Sequence, residues 1–350
     1  MREKIIKAGF DLLKATRADR LFAPLARGLG AILMFHNVRP FAPAVPGYAP
    51  NRLLEITPGF LDAVLARLEA LDFDVVTLDE ALERMAAPRP GGRRFAALTF
   101  DDGYRDTRDF ALPVLRRHKA PFTLFVTTGF ADQTARLWWL ELEAAVGALE
   151  HAELRLDDGI LSLPSVTATE KTKAFQMIYA RLRAGKETRL LDAVTEVSAR
   201  AGVTRNFAAE LCLDWRELAA IAADPLCTIG AHTLTHPMLA KHGGDFVRRE
   251  MAESRRLIAE KFGAAPRHFA YPVGDPASAG PREFDMARAL GFASAVTTRP
   301  GMIFAGHAAR PTALPRLSVN GNWQDVEYID ILLTGVPFAL WNKGRRVPAL

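Results

Sequence analysis

The chain has 350 residues, of which 49% are hydrophobic, enough to bury a large core in one domain or two. Basic residues exceed acidic residues by five and are spread along the chain, which argues against a nucleic-acid-binding patch, so we expect no nucleic-acid partner. The two cysteines, Cys212 and Cys227, are too few for a disulfide framework and lack zinc-ribbon spacing, and we expect two buried thiols.

The first predicted element is an amphipathic helix over residues 2–23, ending before Pro24, and we assign residues 1–30 to this N-terminal region. Its basic residues lie opposite an apolar side made of Ile5, Ile6, Phe10, Leu12, Leu13 and Leu21. Such a helix either docks on the body of the protein or lies on a membrane surface as a peripheral contact.

We expect neither an export signal nor a membrane-spanning segment in this sequence. Charged residues are scattered through the first 14 positions, where a secretory signal needs an unbroken apolar stretch. No run approaches the roughly 20 apolar residues that span a bilayer, and the nearest, 329–341, contains Asp330 and Pro337. We therefore expect a soluble cytoplasmic protein, with the inner face of the membrane as the alternative location.

Short apolar runs bounded by turn residues indicate buried parallel strands, with helical patterns between several of them. The predicted strands are 31–35, 73–77, 95–100, 122–127, 227–230, 268–271, 293–297 and 315–319. The predicted helices include 58–71, 105–118 and 246–262. This alternation predicts an α/β fold, either a (β/α) barrel or a doubly wound sheet.

Residues 131–210 interrupt the alternation, because strand signals are weak there and charge-rich helical sequence predominates, including 171–197 without a proline. We interpret this stretch as a helical insertion in a barrel domain of residues 31–325. Residues 326–350 are assigned to a C-terminal tail, and the proline-rich residues 38–50 to an irregular loop.

Two adjacent carboxylates, Asp101 and Asp102, follow the predicted strand 95–100 and precede Gly103, which permits a sharp turn. In a parallel barrel this position is the catalytic rim. Adjacent residues leaving a strand point in different directions, so one acid can bind a cation while the other lies beside a water molecule. Alone, such a pair is also typical of a solvated turn.

Two histidines, His232 and His236, follow the predicted strand 227–230 at a spacing that lets them share a metal ion on one helical turn. Histidines with this spacing also cap helices or pack in cores. With one aspartate of the acidic pair they make a three-ligand face with open positions, as in catalytic metal sites. Zinc is the first expectation, with cobalt, nickel, manganese or iron as alternatives.

These two motifs, TFDDG at 99–103 and HTLTH at 232–236, resemble those of the polysaccharide deacetylases of the NodB-homology type, carbohydrate esterase family 4. The resemblance runs from about residue 31 to 320 but does not include the helical insertion. It implies an irregular (β/α) barrel with the site at the carboxyl ends of the strands. It also implies that Asp101 is the general base and that Asp102, His232 and His236 hold the metal ion.

The chain departs from the family pattern in two places. In FAYPVGD, at 269–275, Ala270 stands where the family has an arginine that pairs with the base, and Arg316 is our candidate replacement. The family's late Leu-x-His motif is not evident, so another group must protonate the leaving amine. Our candidate is His36, whose surroundings resemble a Phe/Tyr-His-x-Val element of exopolysaccharide deacetylases acting on poly-N-acetylglucosamine; the alternative is a satisfied strand-end histidine.

Candidate substrate contacts lie in the loops around these motifs. Pro272 and Gly274 are retained from the family motif, and a backbone N–H near Tyr271 is a candidate for an oxyanion hole, with simple packing of Tyr271 as the alternative. Tyr104, directly after the acidic pair, is a further candidate. Aromatic rings that either stack on sugars or pack in the core are Trp138, Trp139 and Trp215.

The sequence predicts a metal-dependent hydrolase that removes N-acetyl groups from an N-acetylglucosamine-type oligo- or polysaccharide and releases acetate. One alternative is a hydrolase of a non-sugar C–N bond on the same barrel, which a pocket closed by residues 131–210 would favour. Another is a catalytically inactive carbohydrate-binding protein, but binding alone does not need a base such as Asp101 beside a metal. A cytoplasmic location suits modification of a precursor in exopolysaccharide or chitooligosaccharide synthesis.

Overall fold

The computed structural model describes residues 2–89, 91–156 and 159–347, and a parallel β-sheet forms its centre. In chain order, the strands within these residues are β1 Gly30–Phe35, β2 Asn37–Val38, β3 Glu55–Ile56, β4 Phe73–Val76, β5 Arg94–Phe100, β6 Phe122–Val126, β7 His151–Leu156, β8 Gly159–Pro164, β9 Cys227–Ala231, β10 His268–Ala270, β11 Ser294–Pro300 and β12 Leu314–Ser318. Each of the eight strands predicted from the sequence is present, with ends that differ by at most three residues.

The sheet closes into a seven-stranded barrel in the order β1, β12, β11, β10, β9, β6, β5, because β5 also pairs with β1. All pairings within it are parallel. The eighth strand, β4, pairs with residues 94–97 of β5, whereas β6 pairs with residues 98–100. The predicted α/β class and irregular (β/α) barrel are therefore confirmed, and the doubly wound sheet is excluded by the closure.

Helices surround the barrel and connect its strands. Within the described residues they are α1 Arg2–Thr16, α2 Ala18–Ala26, α3 Pro58–Ala70, α4 Leu78–Ala86, α5 Leu112–Arg117, α6 Thr128–Ala131, α7 Trp138–Ala148, α8 Ala168–Ala184, α9 Glu187–Arg200, α10 Phe207–Leu211, α11 Trp215–Ala222, α12 Gly244–Phe262, α13 Pro281–Ala289, α14 Val326–Leu333 and α15 Val336–Trp341. None of these helices combines the length and apolar composition needed to cross a bilayer.

The period-two alternation of the strands separates the barrel interior from its outer layer. Alternate residues such as Ile32, Ala97 and Phe125 belong to one buried cluster that fills the barrel. Their neighbours Leu33, Leu98 and Leu124 pack outward in a second cluster, which includes side chains of α3 and α5. The inward set leads, at the carboxyl ends of the strands, into the site described below.

Residues 131–210 have a hydrophobic core of their own, formed by α7, α8, α9 and an antiparallel hairpin of β7 and β8. The hairpin was missed by the prediction, because most side chains of β8 are exposed or half-buried and give no clear apolar run. The proline-free stretch 171–197 is helical as expected but is divided between two helices, since α8 ends before Gly185 and α9 begins at Glu187.

The single N-terminal helix predicted over residues 2–23 is two helices that meet at Arg17, whose φ of 53° is left-handed. The Thr16 hydroxyl accepts from the Ala18 N–H and helps to end α1 there. Helix α2 then continues past Pro24 to Ala26. Phe10 packs on the body against Trp323 and Tyr328, whereas Leu12 and Leu21 are exposed, and the side chain of Ile5 lies outside the described residues.

The region predicted as a C-terminal tail contains α14 and α15, and its last three residues lie outside the described part of the chain. Helix α14 packs on α1 and α3, where Asp330 accepts two hydrogen bonds from Arg67. The sequence prediction missed these helices because they have only eight and six residues and α15 contains a proline in its first turn.

Candidate active site

The carboxyl ends of the barrel strands bring the predicted site residues together. His36 follows β1, the acidic pair follows β5 and His232 follows β9, while Arg316 lies in the middle of β12. The strand alternation places His36, Asp101 and Arg316 on the inward face, in line with residues of the barrel interior. His36, the acidic pair and the two histidines of the HTLTH motif line one cleft, and Arg316 is fully buried beneath it.

Three buried donor atoms converge at this rim: Asp102 Oδ1, His232 Nε2 and His236 Nε2, all within 4.8 Å of one another. The carboxylate oxygen is 3.4 Å from the first imidazole nitrogen and 3.3 Å from the second. A tetrahedral metal ion with ligand bonds of about 2.0–2.1 Å separates its ligand atoms by about 3.3 Å. Asp102 Oδ1 is buried without a hydrogen-bond partner among the described residues, so these residues fit a divalent cation.

A backbone carbonyl orients one of the two imidazoles. His232 Nδ1 lies 2.7 Å from the carbonyl oxygen of Ala270, so the protonated Nδ1 donates there and the lone pair of Nε2 points towards the other two ligands. Ala270 is the residue at the position of the family arginine. Its small side chain lies inside the barrel, where it contributes packing and leaves the Asp101 contact to another residue.

The loop that carries both histidines is backbone-strained and braced from two sides. Thr233 and His236 have φ values of 67° and 62°, a left-handed conformation that is costly for residues with a side chain and is held by the surrounding structure. Glu250 of α12 accepts from the N–H groups of Leu234 and Thr235 and from the Thr235 hydroxyl. These contacts hold the second histidine in position.

Helix α6 approaches the same loop from the other side, and a glycine makes this approach possible. The Gly129 N–H donates to the carbonyl oxygen of Leu234. A Cβ at position 129 would lie 2.4 Å from that oxygen, which is too close for any side chain. A glycine at position 129 is therefore needed for α6 to pack this closely on the loop that carries the two histidines.

Asp101 is held by a bidentate ion pair with Arg316. Both terminal nitrogens of the guanidinium lie 2.7 Å from the two carboxylate oxygens, while its Nε donates to the carbonyl of Thr297. Burial would raise the pKa of Asp101, but the charge and hydrogen bonds of Arg316 outweigh it and lower that pKa. The base is thereby kept ionised, and the predicted replacement for the family arginine lies in contact with it.

His36 lies on the other side of Asp101, with Nε2 at 3.9 Å from the carboxylate oxygen. Its side chain is 18% exposed and faces the cleft. Burial lowers the pKa of His36, against the attraction of Asp101 and Asp102, which acts to raise it. An imidazole in this position can exchange a proton with a group bound above the carboxylate.

Three of the four predicted substrate contacts are buried away from the cleft, which corrects the prediction. Tyr104 packs in the core of the insertion, and Tyr271 packs against Phe269 and Phe284. The Tyr271 N–H is paired with the carbonyl of Val296, so it is not free for an oxyanion. Pro272 is also buried.

The fourth predicted contact, Gly274, has a left-handed φ of 61° and shapes the loop without lining the cleft. The motif contributes its neighbours Val273 and Asp275 to the lining instead. The backbone N–H of Val273 donates to no residue in the described part of the chain. Val273 could have been found from the motif itself, because it follows the retained proline directly.

The cleft above the site has a volume of about 710 Å³. The loop before β3 and α3 forms one wall, with Phe41, Tyr48 and Arg52. The insertion forms the facing wall and presents mainly aromatic and polar side chains: Trp138, Trp139, Thr172, Phe175, Gln176, Tyr179 and Arg183.

The sequence singled out two of these residues, Trp138 and Trp139. The ring of Trp139 lies 4.9 Å from that of His236, so it packs beside a predicted ligand. The third tryptophan, Trp215, lies outside the cleft, where it donates to Asp132 and packs on Phe262. Tyr179 and Arg183 were missed, because no motif connects α8 with the site; Arg183 reaches it by pairing with Asp275.

Residues 89–293 match the family model described as polysaccharide deacetylase. No curated protein sequence matches the chain. Among solved structures, the deacetylase PplD of Streptococcus pyogenes, solved with acetate, superposes with a TM-score of 0.58 at 16% identity, covering 87% of this chain and 97% of that one.

Two further solved structures have the same fold. IcaB of Ammonifex degensii gives a TM-score of 0.53 at 18% identity and covers 88% of this chain and 97% of its own. A de-N-acetylase of Aggregatibacter actinomycetemcomitans gives 0.53 at 14% identity, with 86% and 98% covered. At these identities the likeness concerns the fold alone.

Proposed function

This chain belongs to the polysaccharide deacetylase family, and on that premise we propose that it hydrolyses N-acetyl groups on an N-acetylglucosamine-type oligo- or polysaccharide, releasing acetate. The observation that carries the proposal is the buried Asp101–Arg316 pair beside Asp102 and the two histidines. An ionised, oriented carboxylate beside three potential metal ligands is the arrangement that metal-dependent hydrolases use to activate water. A protein that only binds carbohydrate has no use for it.

We assign the general base to Asp101. Its carboxylate is fixed by two hydrogen bonds on the side of Arg316, which leaves its remaining lone pairs directed at the cleft. It accepts a proton from the attacking water as the new C–O bond forms. Because the carboxylate is already oriented, little reorganisation is needed when the proton moves.

The proposed metal ligands are Asp102, His232 and His236, with zinc as the first choice and cobalt, nickel, manganese or iron as alternatives. When bound, a divalent cation polarises the acetamide carbonyl and acidifies the water. The Nδ1–H bond of His232 to the Ala270 carbonyl selects the tautomer in which Nε2 is the ligand atom.

Two further groups complete the proposed reaction. We assign the oxyanion contact to the backbone N–H of Val273, because this residue lines the cleft and its N–H has no partner among the described residues. His36 carries the proton that Asp101 took from the water to the amine nitrogen as the C–N bond breaks, and its lowered pKa keeps it neutral before this step. Because 3.9 Å separates the Asp101 carboxylate from His36 Nε2, the proton passes between them by way of the substrate bound above both.

The cleft is the basis for the substrate assignment. Its volume of about 710 Å³ is within the range of roughly 300–1,000 Å³ that encloses a small ligand, and aromatic rings line both walls. The facing walls favour a short saccharide or a chain end. They also support a second candidate, hydrolysis of a small non-sugar acetamide, because the insertion closes one side.

Acetate release from a panel of substrates tests the proposal. The zinc-loaded protein is incubated with N-acetylglucosamine oligomers of increasing length and, separately, with small acetylated amines. We expect release from the oligomers, abolished by a chelator and restored by metal. Release only from the small amines would replace the sugar assignment with the second candidate, and no release with metal confirmed bound would contradict both. The cytoplasmic location predicted from the sequence stays a prediction.

A further inference from the structure

The amino ends of the barrel strands carry a surface that the proposed reaction does not use. Helix α2 leads directly into β1, and the Leu29 N–H bonds to the Ile303 carbonyl at this end. Arg94 begins β5 at the same end. Since the catalytic cleft lies at the carboxyl ends, this surface is on the opposite side of the barrel.

An apolar ridge runs along this surface on two packed helices. Leu21, Phe22 and Leu25 of α2 and Leu340 and Trp341 of α15 are 51–73% exposed, although each is large and apolar. The helices approach closely because Gly335 lies against the Ala26 carbonyl, where a Cβ would be 2.1 Å from the oxygen. The groove beside them has a volume of about 480 Å³.

A second groove on the other side of α2 has a volume of about 580 Å³, and its lining contains four arginines beside the ion pairs Lys14–Glu327 and Arg67–Asp330. The four are Arg20 of α2, Arg17 and Arg27 at the two ends of that helix, and Arg94 of β5. None of the four has an ion pair with a carboxylate in the part of the chain that the structure describes. Arg94 instead donates to the Leu333 carbonyl and lies over the Phe73 ring.

The charge around the ridge is strongly one-sided. Residues 17–28 and 335–347 contain six basic residues and a single acidic one, Asp19, which is buried. This surplus of five equals the formal net charge of the entire chain. The basic residues on the α15 side are Lys343, Arg345 and Arg346.

This combination identifies the partner by its chemistry. Exposed leucine, phenylalanine and tryptophan flanked by arginine and lysine are typical of helices that lie in the interface of an anionic bilayer. A second copy of the chain fits poorly, because a two-fold contact would bring the same unpaired arginines together. A phosphate group, in contrast, matches the open arginine groove.

We propose that the α2–α15 surface binds anionic phospholipid bilayers, with the ridge in the interface and lipid phosphates in the arginine groove. The catalytic cleft then opens away from the bilayer. The enzyme on the membrane thus remains accessible to saccharides in the surrounding water. This binding does not depend on the proposed reaction and is measured without it.

Vesicle co-sedimentation tests the proposal with the full chain. We expect binding to vesicles of phosphatidylcholine mixed with phosphatidylglycerol, none to phosphatidylcholine alone, and release at high salt. The double variants Leu25→Glu/Leu340→Glu and Arg20→Glu/Arg345→Glu should each weaken partitioning by at least about tenfold. Free inorganic phosphate at the same ionic strength should not release the protein more than chloride does.

Matched controls change the same chemistry elsewhere. Ile160→Glu, at 66% exposure against 67% for Leu340, and Arg288→Glu on α13 should leave vesicle binding unchanged. Sedimentation with neither lipid, or equal losses in the controls, would overturn the proposal. A dimer detected by light scattering and dissociated by Leu340→Glu would also overturn the proposal, because the ridge would then be an interface between two copies of the chain. Acetate release from soluble oligomers should be unaffected by vesicles, and inhibition would contradict the orientation of the cleft.

Discussion

Asp101 and Asp102 are neighbours in the sequence but serve different partners in the structure. Asp101 continues the inward alternation of β5 and meets Arg316, whereas the left-handed φ of 71° at Asp102 turns its carboxylate to the two histidines. The motif predicted that these two acids would separate. Arg316 was harder to predict as the partner of Asp101. Its strand, β12, lies near β5 only because both strands pair with β1 in the closed barrel.

Removing the Arg316 charge tests the orientation of the base. In Arg316→Met the largest opposition to burial is lost and only the weaker attraction of His232 and His36 remains, so the pKa of Asp101 rises and the acidic limb of the kcat/KM profile moves to higher pH. We expect kcat to fall by about 100-fold, with partial recovery in Arg316→Lys. The Arg299→Lys variant, outside the cleft lining, serves as control. An unchanged pH profile in Arg316→Met would refute a positioning role.

Asp106 is a buried acid that the proposed reaction does not use. Its Oδ1 has no hydrogen-bond partner among the described residues, and burial raises its pKa to about 7, against the opposing attraction of Arg39. In the unfolded chain an aspartate titrates near a pKa of about 3.9. The folded state therefore carries a penalty that is complete above pH 7 and disappears as the pH falls towards 4.

Replacing Asp106 by asparagine removes this penalty. We expect Asp106→Asn to raise the free energy of unfolding by about 2–4 kcal/mol near pH 8 and by less than half of that near pH 5. Chemical denaturation at the two pH values measures both. Asp109→Asn, on the same turn but exposed, should show no such dependence on pH. A destabilised Asp106→Asn at pH 8 would show that the charge is needed.

At the level of elements, the histidine loop depends on α12 and α6 more than on its own sequence. The HTLTH motif predicted that two imidazoles would be close, on a helical turn. In the structure the segment is an irregular loop with left-handed residues at Thr233 and His236. The sequence could not show this, because the hydrogen bonds that hold the loop come from Glu250 and Gly129, in elements on either side.

Loosening that brace should weaken metal binding. Glu250→Ala removes three acceptor contacts from the loop, and we expect the affinity for zinc to fall by about 10–100-fold, as for other groups that support metal ligands. Competition titration against a chelating dye measures it. Glu253→Ala, which removes a half-buried carboxylate paired with Arg256 on the same helix, should leave the affinity intact. Equal zinc affinities in the two variants would show that the histidine loop keeps its conformation without Glu250.

Glu217 anchors the turn after the acidic pair to α11. It accepts from Arg105, Arg108 and the Asp214 N–H. Although burial would raise its pKa, these contacts lower the pKa of Glu217 to about 2. Because the folded-state pKa is depressed, the stabilisation is complete above the unfolded value of about 4.3 and is lost as the pH falls through about 2.

The corresponding variant is Glu217→Gln. We expect it to lower the free energy of unfolding by about 2–3 kcal/mol near pH 7, with the difference from the unmodified protein shrinking below pH 4. Urea unfolding at several pH values provides the measurement. Glu210→Gln, which alters a more exposed pair with Arg205, is the matched control. A constant difference down to pH 2 would argue against the titration of Glu217.

On the scale of the whole molecule, the sequence predicted the barrel well and its additions poorly. Strands buried on both faces are near-continuous apolar runs, so all eight could be found without the structure. The closing contact of β5 with β1 joins residues far apart in the chain, and the alternation alone left open whether the sheet closed. The β7–β8 hairpin and the break at Arg17 depend on packing and local backbone geometry that no apolar pattern records.

Site residues could be predicted where a sequence motif directly follows a predicted strand. Residues of the cleft wall that come from the insertion could not be predicted. Asp101, Asp102, His232 and His236 each follow a strand that the sequence identifies. Tyr179 and Arg183 reach the cleft only because the insertion folds back over it, through the Arg183–Asp275 pair. Burial reversed the expectation for Tyr104 and Tyr271, whose rings pack in cores.

The most direct test of the account is acetate release from N-acetylglucosamine oligomers by zinc-loaded protein and by Asp101→Asn, with metal content measured in both. The substitution keeps the size of the side chain and leaves Asp102, His232 and His236 unchanged. We predict that both proteins bind one metal ion, that release falls by at least about 100-fold in the variant, and that Asp109→Asn behaves as the unmodified protein. Undiminished release by metal-loaded Asp101→Asn would contradict the assignment of the base and, with it, the central claim.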